Sequence, residues 1–298
     1  MALPLGVIQW SEGTTGADLV KNVQRLEELG YEELWLPEIF GREPFATIGY
    51  LLAHTKRMKI SSGIANVYAH DADSAAQAAN TLSEFSGGRF TLGLGVSHPI
   101  LVEPRGHTWV KPVPKMNAYL DRMKEAPVLS PKADVKTPVI MAGHGPGLQK
   151  IAATKADGLF LFLQTIETVK NARAVIGPDK LLPVAVRCVI DSDPVRARAL
   201  ARRACGFYLA QPPYHKVWSS VGFDENDWKD GGSDRLIDAI CAWGDAATIK
   251  SKLQKYVDAG ATQIVVYPCN EGEDYNPEDA MSLLWNWELY EALSPAKN

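Results

Sequence analysis

The sequence lacks any apolar run near the roughly 20 residues that a membrane-spanning helix needs. Its start, Met1-Ala2-Leu3-Pro4-Leu5, has neither the basic segment nor the long apolar stretch of a secretory signal, so a cytoplasmic protein without a membrane partner is expected. Positive charge is also short: 31 Lys and Arg against 35 Asp and Glu leave a formal charge of −4, which offers nucleic acid no basic footprint. Cysteine is scarce. The four present (Cys188, Cys205, Cys241, Cys269) form no CxxC pair, which argues against a zinc ribbon or thioredoxin motif and for buried free thiols. None of the six histidines stands in HxH or HExxH spacing, so no metal site is expected.

What is present is alternation. Apolar runs at 4–10, 33–37, 58–64, 90–94, 138–142, 157–163, 183–190 and 263–267 read as buried strands. Helical periodicity follows them, as in Leu19, Val23, Leu26 and Leu29, with helices expected over 73–85, 115–124, 165–176, 194–208, 233–243, 246–259 and 277–293. Eight strands, each followed by a helix and without sequence repeats, predict an α/β fold: one (β/α)8 TIM barrel over residues 1–298, with a doubly wound sheet as the rival. Two stretches are too long and too rich in Pro and Gly for ordinary turns. These are 98–114, after strand four, and 209–232, after strand seven, read as irregular insertions.

Ligands of such a barrel bind where helix N-termini and loop amides converge, at the carboxyl ends of the strands. Glu38, directly after strand two, is a candidate general acid or base there, with an ion pair to Arg42 as the plain structural alternative. Gly143-His144-Gly145-Pro146-Gly147 opens a helix after strand five, where free amides and the helix dipole suit a phosphate or carboxylate; a flexible turn is the alternative. Gly93-Leu94-Gly95-Val96-Ser97-His98 lacks the last glycine of a dinucleotide fingerprint and runs into Pro99, so its glycines are read as letting a bound ring approach strand four closely. His98 and His144 follow strands and face the mouth, whereas His70 is placed in a loop. Trp109, Tyr208, Tyr214 and Trp218 are candidate pocket walls.

Trp35-Leu36-Pro37-Glu38, Gly41-Arg42-Glu43, Gly63-Ile64-Ala65-Asn66, the run Gly87–His98 and Gly232-Ser233-Asp234-Arg235-Leu236 together resemble the luciferase-like monooxygenase superfamily, in its branch dependent on the deazaflavin coenzyme F420. The resemblance covers nearly the whole chain. It implies a TIM barrel that holds a flavin-like ring at the strand ends and transfers hydride between reduced F420 and a small organic substrate. By motif, it implies a non-prolyl cis peptide at Gly63-Ile64 with Ile64 behind the ring. Ala65 and Asn66 would then lie along the ring, Gly95, Val96, Ser97 and His98 at its edge, and Gly143, His144, Gly145 and Pro146 with Gln164 and Thr165 near the ribityl phosphate. Many similar proteins carry an acid followed by histidine after strand two; here Ile39 follows Glu38, leaving Glu38 or His98 to handle the proton. The rivals are an FMN-dependent monooxygenase using dioxygen, a noncatalytic flavin- or deazaflavin-binding protein and an aldolase-type barrel, the last without a well-placed Schiff-base lysine. Assembly is left open between a monomer and the homodimer common among similar proteins.

Overall fold

The computed structural model describes residues 3–270 and 285–297. Ten strands occur in them: β1 (Leu5–Ile8), β2 (Glu33–Leu36), β3 (Lys59–Ser62), β4 (Ala65–Asn66), β5 (Phe90–Gly95), β6 (Val139–Ala142), β7 (Gly158–Phe162), β8 (Pro183–Ile190), β9 (Cys241–Gly244) and β10 (Gln263–Pro268). All pair in parallel in the order β10-β1-β2-β3-β5-β6-β7-β8, and a further β10–β8 ladder, Gln263 opposite Pro183 through Pro268 opposite Cys188, closes the ring. That closure makes a (β/α)8 TIM barrel and disposes of the doubly wound sheet. β4 continues the line of β3 past Gly63-Ile64 along the upper half of β5, and β9 pairs with the last four residues of β8.

The strands read as apolar runs because both faces are covered. Ile8, Trp35, Ile140, Phe160, Ala185, Val265 and Tyr267 pack together inside the barrel. Their sequence neighbours Val7, Leu34, Leu36, Leu159, Leu161, Val184, Val186, Ile264 and Val266 face the helices instead, the period of two that a strand imposes. Side chains at the helix starts accept from orphan backbone amides: Thr15, Asp71, Thr165, Asp193, Ser233 and Asp245 each cap one helix.

Several sequence expectations need correction. The stretch 209–232 is not irregular: it holds helices Pro212–Ser219, started by Pro at its first turn, and Glu225–Trp228, started by the Asp224–Asp227 capping box. The insertion after strand four likewise contains helix Pro99–Val102 and a 3-10 turn at Glu103–Arg105, and the next helix begins at Pro112. The expected helix 233–243 stops at Ile240, and Cys241–Gly244 becomes β9, because a short apolar run does not distinguish a buried helix from a strand until the edge of β8 is there to pair with it. Of the expected closing helix 277–293, the described part is Trp287–Leu293; residues 277–284 lie outside the described residues.

Beyond β8, helix Pro194–Leu209, the two insertion helices and helix Asp234–Ile240 build a second apolar cluster around Ala201, Cys205, Leu209, Trp218, Ile237 and Cys241. This cap brings Phe207, Tyr208 and Tyr214 over the carboxyl ends of the strands.

Candidate active site

Strand three breaks at the mouth. After Ser62 the Gly63-Ile64 peptide is cis, and β4 resumes with Ala65 opposite Leu94 and Asn66 opposite Gly95. The bend lays Ile64 against β5. A methyl group on Gly95 would stand 1.8 Å from Ile64 Cδ1, and one on Gly93 would stand 2.1 Å from the Ser62 carbonyl oxygen. Gly93 is therefore required by the chain's own packing, since backbone faces it, whereas what faces Gly95 is the flexible end of the Ile64 side chain. Ile64 itself stays half-buried, seated with Trp10, Ala142 and Phe162 against the inner layer of the barrel.

Glu38 is not paired with Arg42, which instead donates to the backbone carbonyls of Ser11 and Thr14. Its Oε2 accepts the Asn66 amide at 2.8 Å, and His70 Nε2 lies 3.1 Å from Oε1 and 3.2 Å from Oε2. The carboxylate thus ties the end of β2 to the end of β4. Both side chains are enclosed, Glu38 at 7% and His70 at 15% exposure. Burial opposes the His70 cation, but the hydrogen bond and charge of Glu38, then the charge of Glu43, outweigh it and hold His70 above the ordinary histidine value, against an opposing push from Arg105. Sequence reasoning missed His70; the available signal was its place in the same turn as Asn66, one residue before the helix cap Asp71.

Two further histidines follow the ends of β5 and β6. His98 precedes helix Pro99–Val102 and meets Phe207 edge-on at 5.7 Å, and burial lowers its pKa. His144 lies 4.6 Å from the Tyr214 ring and accepts at Nδ1 from Gln164 Nε2 at 3.3 Å, which leaves its own proton on Nε2. Burial first, and the charge His98 would carry, push His144 down to about 4. A histidine that must stay neutral in the fold but is free to protonate when unfolded costs stability in acid. Between the unfolded value of 6.5 and about 4, stability is expected to fall as pH falls, by about 3 kcal/mol from this group. Urea unfolding of wild type and His144→Gln at pH 4.5 and 7 checks it: the variant should lose less on acidification, and equal losses would refute the assignment.

Phe162 sits among Tyr208 at 4.8 Å, Tyr267 at 5.6 Å and Tyr214 at 6.4 Å, and Trp10 Nε1 donates to the Tyr267 hydroxyl at 2.8 Å. Of the expected walls, Trp218 is withdrawn: it is fully buried in the cap, donating to the Leu163 carbonyl. Trp109 stacks on Tyr68 at 5.7 Å on the side of β4. Ser97, the second residue past β5, and Leu163, the last residue but one before the Thr165 cap, hold φ of 60° and 51°, a left-handed conformation that non-glycine residues keep only where their surroundings enforce it.

Gly143 and Gly147 are again packing glycines, since added methyls would stand 2.5 Å from Leu148 Cβ and 2.8 Å from Val113 Cγ2. Gly145 differs. It caps helix Pro146–Lys155 with no side-chain hydrogen bond, and a methyl there would meet nothing within 4 Å. An uncapped helix start beside open space suits an anion. Gln164 and Thr165, by contrast, are buried and bonded within the chain, Gln164 to the Phe162 carbonyl and Thr165 to the Thr168 amide of its own helix. Ala65, Asn66, Gly63, Gly95 and Gly143 are buried as well, while Val96, Ser97, His98, His144 and Gly145 remain half-buried and Pro146 exposed. All four cysteines are buried. Among the described residues no group of three or more His, Cys, Asp or Glu could hold a metal ion, and no helix is long and apolar enough to cross a membrane.

A closed parallel barrel with polar and aromatic side chains gathered at the carboxyl ends of its strands has the layout of a barrel enzyme. Residues 6–263 match the luciferase-like monooxygenase family, and the chain belongs to it. The 5,10-methylenetetrahydromethanopterin reductase of Methanolobus tindarius is 23% identical over 284 residues, covering 80% of this chain and 86% of that protein. Among solved structures, an F420-dependent secondary alcohol dehydrogenase in complex with an F420-acetone adduct superposes with a TM-score of 0.76 at 16% identity over 100% of both chains. The oxygenating constituent of 3,6-diketocamphane monooxygenase from Pseudomonas putida, in complex with FMN, does so at 0.67 and 15% identity over 99% of both. At these identities the structural likeness speaks for the fold.

Proposed function

We propose that this protein is an F420-dependent oxidoreductase that transfers hydride between the reduced deazaflavin and a small organic carbonyl or alcohol. The observation that carries the reading is the pairing, on one rim, of an apolar seat at Ile64 with an open, uncapped helix start at Gly145: a flat ring with an anionic tail needs both. A putative coenzyme F420-dependent oxidoreductase of Mycobacterium tuberculosis, 30% identical over 129 residues and 41% of this chain, supports the deazaflavin. When bound, that coenzyme supplies the hydride. Ile64 supports the ring from behind, the Gly147 and Leu148 amides in the first turn of helix Pro146–Lys155 hold the phosphate, and the aromatic cap of Phe207, Tyr208 and Tyr214 keeps water from the reacting atoms. His98 and His144, neutral at pH 7, serve as hydrogen-bonding groups rather than acids. Glu38 is the proton-carrying group.

Titrating the protein with F420 and with FMN while following tryptophan quenching tests the reading: F420 should bind and FMN should bind more weakly or not at all. Tight FMN binding with oxygen-dependent turnover would instead establish the monooxygenase. Binding of a deazaflavin with no turnover of any substrate would point to a carrier. Glu38→Gln keeps an oxygen for the Asn66 amide but no titratable proton, so turnover should fall about 100-fold or more while F420 affinity stays within about threefold. Unchanged turnover would remove Glu38 from its role.

A further inference from the structure

Resting on that reading, we propose that His70 is a positioning residue for the reaction: held on Glu38, it stores the proton that Glu38 delivers to substrate and fixes which carboxylate oxygen faces the mouth. Oε2 is committed, taking the Asn66 amide at 2.8 Å with the His70 ring also in reach, whereas Oε1, among the described residues, has His70 Nε2 at 3.1 Å as its donor and a lone pair to spare. The histidine is locked on all sides. Its ring packs at 4.6 Å against Phe45, and the Tyr119 hydroxyl donates to the backbone carbonyls of His70 at 3.0 Å and Asp71 at 3.2 Å. The charged groups around it are Glu38 from the end of β2, Glu43 from the start of helix Pro44–His54, Arg105 from the turn after strand four and Asp71 beside it in the chain, so three carboxylates stand against one guanidinium. Burial works against the cation, but the hydrogen bond and charge of Glu38, then the charge of Glu43, outweigh it and hold His70 above the ordinary histidine value.

The step balances as follows. When bound, the reduced deazaflavin would supply the hydride, two electrons, that forms the new C–H bond at the substrate carbonyl carbon; it would become oxidised and shed its own ring N–H proton to solvent, and the carbonyl π bond would break to leave negative charge on the substrate oxygen. The N–H bond of the His70 imidazolium breaks as the proton passes to Glu38 Oε1, and from there the O–H bond of the alcohol forms. His70 ends neutral and regains a proton from solvent, and the reverse sequence serves alcohol oxidation.

Carbonyl reduction should therefore decline as pH rises through the elevated pKa of His70. The experiment supplies reduced F420 and a panel of small ketones and aldehydes, follows the return of the oxidised chromophore, and records kcat against pH from about 6 to 9.5 for the fastest substrate. Wild type should show one descending limb with its midpoint above 6.5, about tenfold per unit at its steepest. His70→Gln, which keeps a donor for Glu38 but holds no proton, should lower kcat by about 10–100-fold and flatten the limb, with F420 affinity and melting temperature essentially unchanged. Glu43→Gln should move the limb to lower pH without changing its plateau. In a separate arm that needs no coenzyme, the His70 imidazole nitrogens followed by NMR should titrate above 6.5 in wild type and lower in Glu38→Gln. A His70→Gln profile that overlays wild type, or a His70 titration at or below 6.5, overturns this inference alone. Absence of F420 binding, or of turnover across the whole panel, overturns the proposed function and this inference together.

Discussion

Gly93→Ala should destabilise the protein by about 3 kcal/mol or more and lower its melting temperature by roughly 6 °C or more. The added methyl would stand 2.1 Å from the Ser62 carbonyl oxygen, and backbone, unlike a side-chain tip, has no alternative rotamer to take. The same contact carries two hydrogen bonds, Ser62 Oγ to the Gly93 carbonyl at 2.8 Å and the Gly93 amide to Ser62 Oγ at 2.9 Å, so separating the strands breaks both. Gly95→Ala makes an informative contrast, because its methyl is crowded by the Ile64 side chain, Cδ1 at 1.8 Å and Cγ1 at 2.9 Å, and by no backbone, so a rotation of that side chain into the mouth can relieve it. Its cost should fall on coenzyme affinity more than on stability. Thermal unfolding of both variants beside F420 titration separates the two effects, and equal melting temperatures for Gly93→Ala and wild type would show that β3 and β5 are not joined as described.

Gly145→Asp should move stability and affinity in opposite directions. Aspartate is among the best N-caps, there is room for its side chain, and helix Pro146–Lys155 has no side-chain cap of its own, so folding should gain about 0.5–1 kcal/mol. The same carboxylate would occupy the amides assigned to the coenzyme phosphate and repel it, weakening F420 binding by about 10–100-fold. Gly145→Ala is the neutral control, since its methyl meets nothing within 4 Å. A Gly145→Asp protein that is both stabilised and unimpaired in binding would place the phosphate elsewhere.

The barrel was legible because its signals are local. Each inner strand must be apolar on both faces and each helix must show one apolar stripe, so eight alternating units stand out in composition and spacing alone. The legible part of the site followed from this: once strand ends are located, residues just past them, such as Glu38, His98, His144 and Gly145, are marked as mouth residues whatever their chemistry. β9 was illegible for the complementary reason. Cys241–Gly244 pairs along Arg187–Ile190, more than 50 residues earlier in the chain, and nothing in the four residues themselves records that edge. The glycines of 93–95 were recognised as places of close approach, but whether a ligand or the chain's own Ser62 and Ile64 made the approach depends on a neighbouring strand.

What the amino-acid sequence determined by itself was therefore the architecture, the order of its units and the rim on which chemistry would be found, because periodicity and turn residues act over a few positions. What only the tertiary structure decided was partnership. Glu38 had Arg42 beside it in sequence, yet the end of β2 and the turn after β4 converge in space and give it His70, 32 residues away, and the Asn66 amide. Ile39, next to Glu38 in the chain, offers it no hydrogen bond, and the fold brings a histidine in from another loop. A hydrogen bond needs its donor within about 3 Å, and chain separation carries no information about that distance once a barrel has closed.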